Sequence, residues 1–365
     1  MNRNSIMSFL SSVFVLIIGL LLGFVILLIS DHSQAVPAFV RMLTSGFESM
    51  RHVGDVLLHA TPIILTGLSV AFAFKTGLFN IGATGQFTIG AFVAIYVSIN
   101  LTALPTTPRM IVAILAAATA GALWGAIPGL LKTYRNVHEV ISCIMTNYIA
   151  MFLVSYLVLN HMFNPGQGRS YPTPAEVRLP TWGLDAIFRY GARPSQVGAG
   201  IIIAIIIAIA IYVILEKTTL GYELKACGFN KDAANYAGIN QNRNIVFSMM
   251  ICGALAGIGG ALTYMDGRGL TLDIVDSLLQ YGFTGISVAF LGLNHPIGII
   301  FSGTLISFLT QGGARMQAFG FSAEFVDIVI AIIIYFCAFV FLVKTFVGKS
   351  VGKLFKDKKD GGTIA

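Results

Sequence analysis

The chain has 365 residues, 56% of them apolar and only 11% charged, with a formal net charge of +7. A soluble protein carries about 25% charged residues, so the composition excludes an ordinary soluble globule. The basic residues fall between apolar runs, which makes the positive charge a matter of membrane topology rather than of nucleic-acid binding.

In chain order, apolar runs between turn signals predict ten spans: 9–29, 54–74, 77–99, 109–131, 139–160, 198–215, 245–264, 281–293, 296–311 and 325–343. About 20 residues at 1.5 Å per residue cross a hydrocarbon core of about 30 Å, and lipid admits only helices and closed barrels. The runs are too continuous for barrel strands. The predicted fold class is therefore all-α, a polytopic membrane helical bundle forming one domain over 1–365. The first run is too long for the apolar core of a signal peptide, so it reads as a retained helix. The eighth and ninth runs are short and read as half-helices or a re-entrant hairpin. Gly67–Phe72 (GLSVAF) recurs as Gly285–Phe290 (GISVAF), a candidate internal pseudo-repeat.

With the N-terminus inside, every lysine falls on the cytoplasmic side, including those of a basic tail over 344–365. That distribution predicts both termini cytoplasmic. It places 161–197, with Asn164-Pro165-Gly166 and Tyr171-Pro172-Thr173-Pro174, outside, and 216–244 inside.

Catalytic signatures are missing from the sequence. Gly348-Lys349-Ser350 imitates the end of a phosphate-binding loop, but Val343 stands where the earlier glycine is required. His138-Glu139 has no second histidine at zinc-protease spacing, and the six histidines are scattered, so no metal site is expected. The cysteines Cys143, Cys227, Cys252 and Cys337 contain no CxxC pair and read as packing residues. Gly253, Gly257, Gly259 and Gly260 form a small-residue stripe suited to close helix packing. No catalytic residue and no bound cofactor is expected.

The most specific signal lies in the cytoplasmic segment 218–240, TTLGYELKACGFNKDAANYAGIN. It reads as turn, short helix, turn. Asn230 can cap a helix, Asp232 suits its first turn, and Gly238 can end it in a left-handed conformation. Ala233 and Ala234 offer a small face for a groove on another protein.

This segment resembles the coupling loop of ABC importer permeases in the branched-chain amino acid, ribose and nucleoside group. Gly77–Phe87 (GLFNIGATGQF) and Glu139–Ala150 (EVISCIMTNYIA) are two further matches to that permease group, the latter resembling nucleoside-type permeases in particular. The resemblance covers about 55–345, with His138 standing where asparagine is expected. It implies an importer permease for nucleosides, with ribose-like sugars and branched-chain amino acids as the alternatives. Its implied partners are a second, heteromeric permease, cytoplasmic ATPase subunits that bind ATP-Mg, and an external substrate-binding lipoprotein. The implied location is a bacterial inner membrane. ATPase coupling is expected at Gly221, Gly228, Asn230, Ala233, Ala234 and Gly238. Polar residues in spans are expensive, so Asn80, Thr84, Gln86 and Asn147, with Phe79 and Phe87, are the expected pathway residues. An ion-coupled secondary transporter is the rival reading; it requires acidic residues deep in spans, whereas Glu139 and Asp327 lie near predicted span ends.

Overall fold

The computed structural model describes residues 3–274 and 277–338. The predicted tail, Gly348-Lys349-Ser350 and the end of the tenth span lie outside the described residues. The helices in order are α1 (Arg3–Ser30), α2 (Ala35–Thr44), α3 (Met50–Lys75), α4 (Ala83–Asn100), α5 (Thr106–Arg135), α6 (Glu139–His161), α7 (Leu184–Ile187), α8 (Ala199–Lys217), α9 (Thr219–Phe229), α10 (Lys231–Tyr236), α11 (Gln241–Tyr264), α12 (Tyr281–Leu291), α13 (Pro296–Ala314) and α14 (Ala323–Ala338). Among the described residues eight stretches are long and apolar enough to cross a membrane: seven within α1, α3, α4, α5, α6, α8 and α11, and α13 with its 3₁₀ extension. The protein is a polytopic helical bundle.

The centre is α3, α4, α5 and α11. Glycine decides how closely they approach. A Cβ at Gly121 would overlap the Gly253 carbonyl, one at Gly90 the Gly257 backbone, and one at Gly260 the Phe87 carbonyl. The stripe on α11 is thus a packing surface, as in membrane helix pairs that gain dispersion contact from small residues. Around this centre the burial is one-sided. α6 exposes Ile141, Met145, Tyr148, Phe152 and Tyr156 along one face and buries Cys143, Asn147, Ala150 and Val154 on the other.

Two predicted spans differ from their sequence reading. The third starts at Ala83, not 77, because 76–82 folds back into the bundle. The ninth, α13, has 19 residues and is full length. The eighth is the eleven-residue α12, a half-helix as expected. A turn with Leu293 at φ 57° and Asn294 at φ 53° joins these last two. The two echoed sequences meet face to face, for a Cβ at Gly67 would lie 2.8 Å from the Val288 side chain and one at Gly285 2.7 Å from the Thr66 hydroxyl.

The segment 161–197 folds into a lobe over the end of α11. It holds two small hairpins, β1 (Phe163–Asn164) with β2 (Arg169–Ser170), and β3 (Arg189–Tyr190) with β4 (Arg193–Pro194). The Thr173 hydroxyl donates to the Tyr264 carbonyl at 2.9 Å, and the Leu179 amide to the Met265 carbonyl at 2.8 Å.

Candidate translocation site and coupling surface

The break between α3 and α4 builds the first candidate site. After Lys75 the chain reverses and carries Asn80 back to Ser69, six residues or about 9 Å inside α3 at 1.5 Å per residue. Asn80 Nδ2 donates to Ser69 Oγ at 3.0 Å and to Gln86 Oε1 at 2.8 Å, and Gln86 Nε2 donates to Asn80 Oδ1 at 3.2 Å. Ser69 Oγ donates to the Cys252 carbonyl of α11 at 2.8 Å. Asn147 on α6 completes the cluster. Its Oδ1 accepts from the Gly85 amide at 2.8 Å, and its Nδ2 donates to the Ile81 carbonyl at 3.0 Å. Backbone groups freed where a helix is broken need such partners in lipid.

The structure therefore gathers Asn80, Thr84, Gln86, Phe87 and Asn147, at 1% exposure or less. Phe79 is half-buried and packs on Phe74. In this conformation these groups face each other and no open passage. Phe87 stacks on Tyr281 at 5.0 Å, and Thr66 Oγ1 donates to the Tyr281 carbonyl, which fixes the start of α12 at mid-helix on α3.

A second polar region escapes the sequence reading. The segment after α11 carries charges and reads as an external loop, yet it inserts. Arg268 pairs with Asp266 at 2.6 Å, and its Nη1 lies 2.9 Å from His59 Nε2. His59 is nine residues inside the outer end of α3, about 13 Å. The Asp266 and Arg268 side chains are 5% and 15% exposed, a buried pair that the rival reading did not locate in the sequence. From there the chain runs past Asp273 and Ser277 to α12, flanking a cavity of about 120 Å³ between α4 and α6.

The segment 218–240 contains two helices, not one. Thr218 Oγ1 caps α9 by accepting from the Gly221 amide, and Asn230 Oδ1 caps α10 by accepting from the Ala233 amide at 3.0 Å. Gly238 ends the unit at φ 80°. The expected small face needs correction. Ala233 is exposed, but Ala234 is 3% exposed and turned into the fold, because α10 packs back on α9. Gly221 and Gly228 also serve internal contacts: a Cβ at Gly221 would overlap the Ile214 carbonyl, and one at Gly228 would lie 2.7 Å from the Gly77 amide nitrogen. The groups that project are aromatic, Phe229 at 90% and Tyr236 at 94% exposure. A bias to small residues had pointed away from them. His138, in place of the expected asparagine, still caps α6, its Nδ1 accepting from the Val140 amide at 3.3 Å.

Among the described residues no group of three or more His, Cys, Asp or Glu side chains is placed to hold a metal ion. Residues 53–338 match the family model described as branched-chain amino acid transport system / permease component. The guanosine ABC transporter permease protein NupP of Bacillus subtilis is 39% identical over 92% of this chain and 94% of its own. The nucleoside ABC transporter permease protein NupB of Lactococcus lactis is 35% identical over 92% of each chain. The glucose ABC transporter permease protein TsgB13 of Haloferax volcanii is 34% identical over 82% of this chain and 78% of its own. No solved structure matches the chain.

Proposed function

Since the chain belongs to the branched-chain amino acid transport permease family, we propose that it is the nucleoside-conducting permease subunit of an ATP-driven importer. The observation that carries this reading beyond the family is the cytoplasmic unit α9–α10, a capped pair of short helices with Phe229 and Tyr236 projecting. Exposed aromatic rings on a rigid support are what a groove on another protein takes as anchors. The partner is an ATPase subunit, which binds ATP-Mg; this chain binds neither.

Movement of α9 has a short route inward. Gly228 meets Gly77 backbone to backbone, and Gly77 begins the segment that carries Asn80. With no side chain between them, a displacement of α9 is passed to the break before α4. In this reading the cluster of Asn80, Thr84, Gln86 and Asn147, with Phe79 and Phe87, is the wall of the pathway and rearranges between access states.

The open face of α6 supports pairing with a second permease. Bacillus subtilis has two guanosine permeases similar to this chain, NupP and NupQ, which favours a heteromeric pair. The external lobe faces an incoming binding lipoprotein, in a bacterial inner membrane with both termini cytoplasmic. Guanosine, other nucleosides and glucose, named for the relatives, share one feature, a polyhydroxylated sugar ring. The test is uptake of labelled inosine, ribose, glucose and leucine in cells with and without the gene. Loss of inosine uptake alone is expected. Retained inosine uptake with loss of a sugar or leucine would reassign the substrate and leave the permease standing.

A further inference from the structure

The cluster around Asn80 spends its hydrogen bonds on itself. The cavity between α4, α6 and the inserted segment does not. Thr88 Oγ1 gives its proton to the Thr84 carbonyl at 2.8 Å, which leaves its oxygen free to accept. Ser155, Ser277 and Asp273 also line the space, with Met151 and Leu279. Asp273 is held at the rim by Arg169 of the external lobe, Nε to Oδ1 3.0 Å, with side chains 57% and 48% exposed. A pair this open to solvent is weak, so a ligand can replace Arg169 as the donor to Asp273 at little cost.

Size selects what fits. A cavity of ~150 Å³ holds one benzene ring, whereas pockets for whole drug-sized ligands start at about 300 Å³. About 120 Å³ is therefore room for one ring. Vicinal hydroxyls are the groups that satisfy both a carboxylate acceptor and hydroxyls able to donate or accept.

We propose that this cavity is the subsite for the pentose ring of the transported nucleoside, with Asp273 accepting from the ribose diol and Thr88 and Ser155 completing its hydrogen bonds. The base remains outside the cavity, which has room for one ring. Arg169 then closes the rim when the ring is absent. This rests on the nucleoside reading above.

The test uses the assembled transporter in membranes. Ser155→Cys is introduced where Cys143, Cys227, Cys252 and Cys337 are replaced by alanine, and labelling by a small water-soluble thiol reagent is followed. Inosine and, at higher concentration, free ribose should slow labelling at least threefold, and hypoxanthine should not. Protection by hypoxanthine alone, or no protection while inosine uptake is intact, would overturn the subsite. Asp273→Asn provides a second readout in the native background. It should lower inosine uptake several-fold at saturating solute, and the uptake rate of the wild type at all concentrations would overturn the role of Asp273. Absence of inosine uptake in the wild type is a different result, which removes the nucleoside reading itself.

Discussion

Thr84 and Thr88 stand one turn apart on α4, yet they belong to two polar regions of opposite character. Thr84, whose own buried hydroxyl has no hydrogen-bond partner, lies beside the sealed cluster of Asn80, Gln86 and Asn147, whose side chains are at most 1% exposed and bonded to one another or to broken backbone. Thr88 borders a cavity also lined by Ser155, Ser277 and Asp273, the last paired with Arg169 at the rim. The difference follows from chemistry. An amide side chain has both donors and acceptors, so two or three of them saturate each other. A hydroxyl that gives its proton to its own helix keeps an accepting oxygen. In this conformation the polar residues of the bundle are therefore of two kinds, those bonded to one another or to backbone at the broken helix and those with bonding capacity left over.

Stability separates the two kinds most sharply. Asn147→Ala leaves the Gly85 amide and the Ile81 carbonyl without partners, and each buried orphan costs about 1–3 kcal/mol. Thermal unfolding of the purified permease should show a marked loss for Asn147→Ala and little change for Ser155→Ala. Equal melting of the two variants would abolish the distinction.

Coupling gives the next largest effect. Gly228→Ala places a methyl 2.7 Å from the Gly77 amide nitrogen, at the contact between α9 and the segment leading to Asn80. Uptake should fall at least tenfold while the assembled transporter still hydrolyses ATP. Parallel decline of both activities would mean that the contact is merely structural. Phe229→Ala should act one step earlier, reducing the ATPase that copurifies and lowering uptake several-fold, with melting unchanged because the ring is 90% exposed. Unchanged copurification would move the docking surface elsewhere.

Much of this architecture is legible in the sequence. Apolar runs mark the spans, and Asn230 and Gly238 announce a cap and a left-handed end that the structure contains. A break before α4 is legible in the glycines at 77, 82 and 85, but the reversal of the chain there is not, because it depends on Ser69 and Cys252. The inserted segment is hidden for the opposite reason. Asp266, Arg268 and Asp273 read as solvated charges until Arg268 finds His59, 209 positions away in sequence. Orientation of one alanine against its neighbour, Ala233 out and Ala234 in, is likewise set by α10 packing on α9, which no local pattern encodes.

The smallest effect belongs to topology, which the comparison of the two regions presupposes: the cavity must face the side from which solute arrives. Ser170 is a poor reporter, since it is fully buried and its hydroxyl accepts from the Leu272 amide at 2.8 Å. Gln167, at the turn of the first hairpin, is exposed, and so is Asn235 on α10. In a cysteine-free background neither Gln167→Cys nor Asn235→Cys removes a side-chain contact, so uptake should remain near the wild-type rate. An impermeant thiol reagent added to intact cells, with its access to the outer face of the inner membrane secured, should label position 167 and spare 235. Permeabilised cells should be labelled at both. Labelling of 235 and not 167 in intact cells would invert the protein, turning the Asp273 rim toward the cytoplasm and the α9–α10 unit away from any ATPase. The cavity would then be an exit and not an entry, and the lysine distribution would no longer account for the orientation.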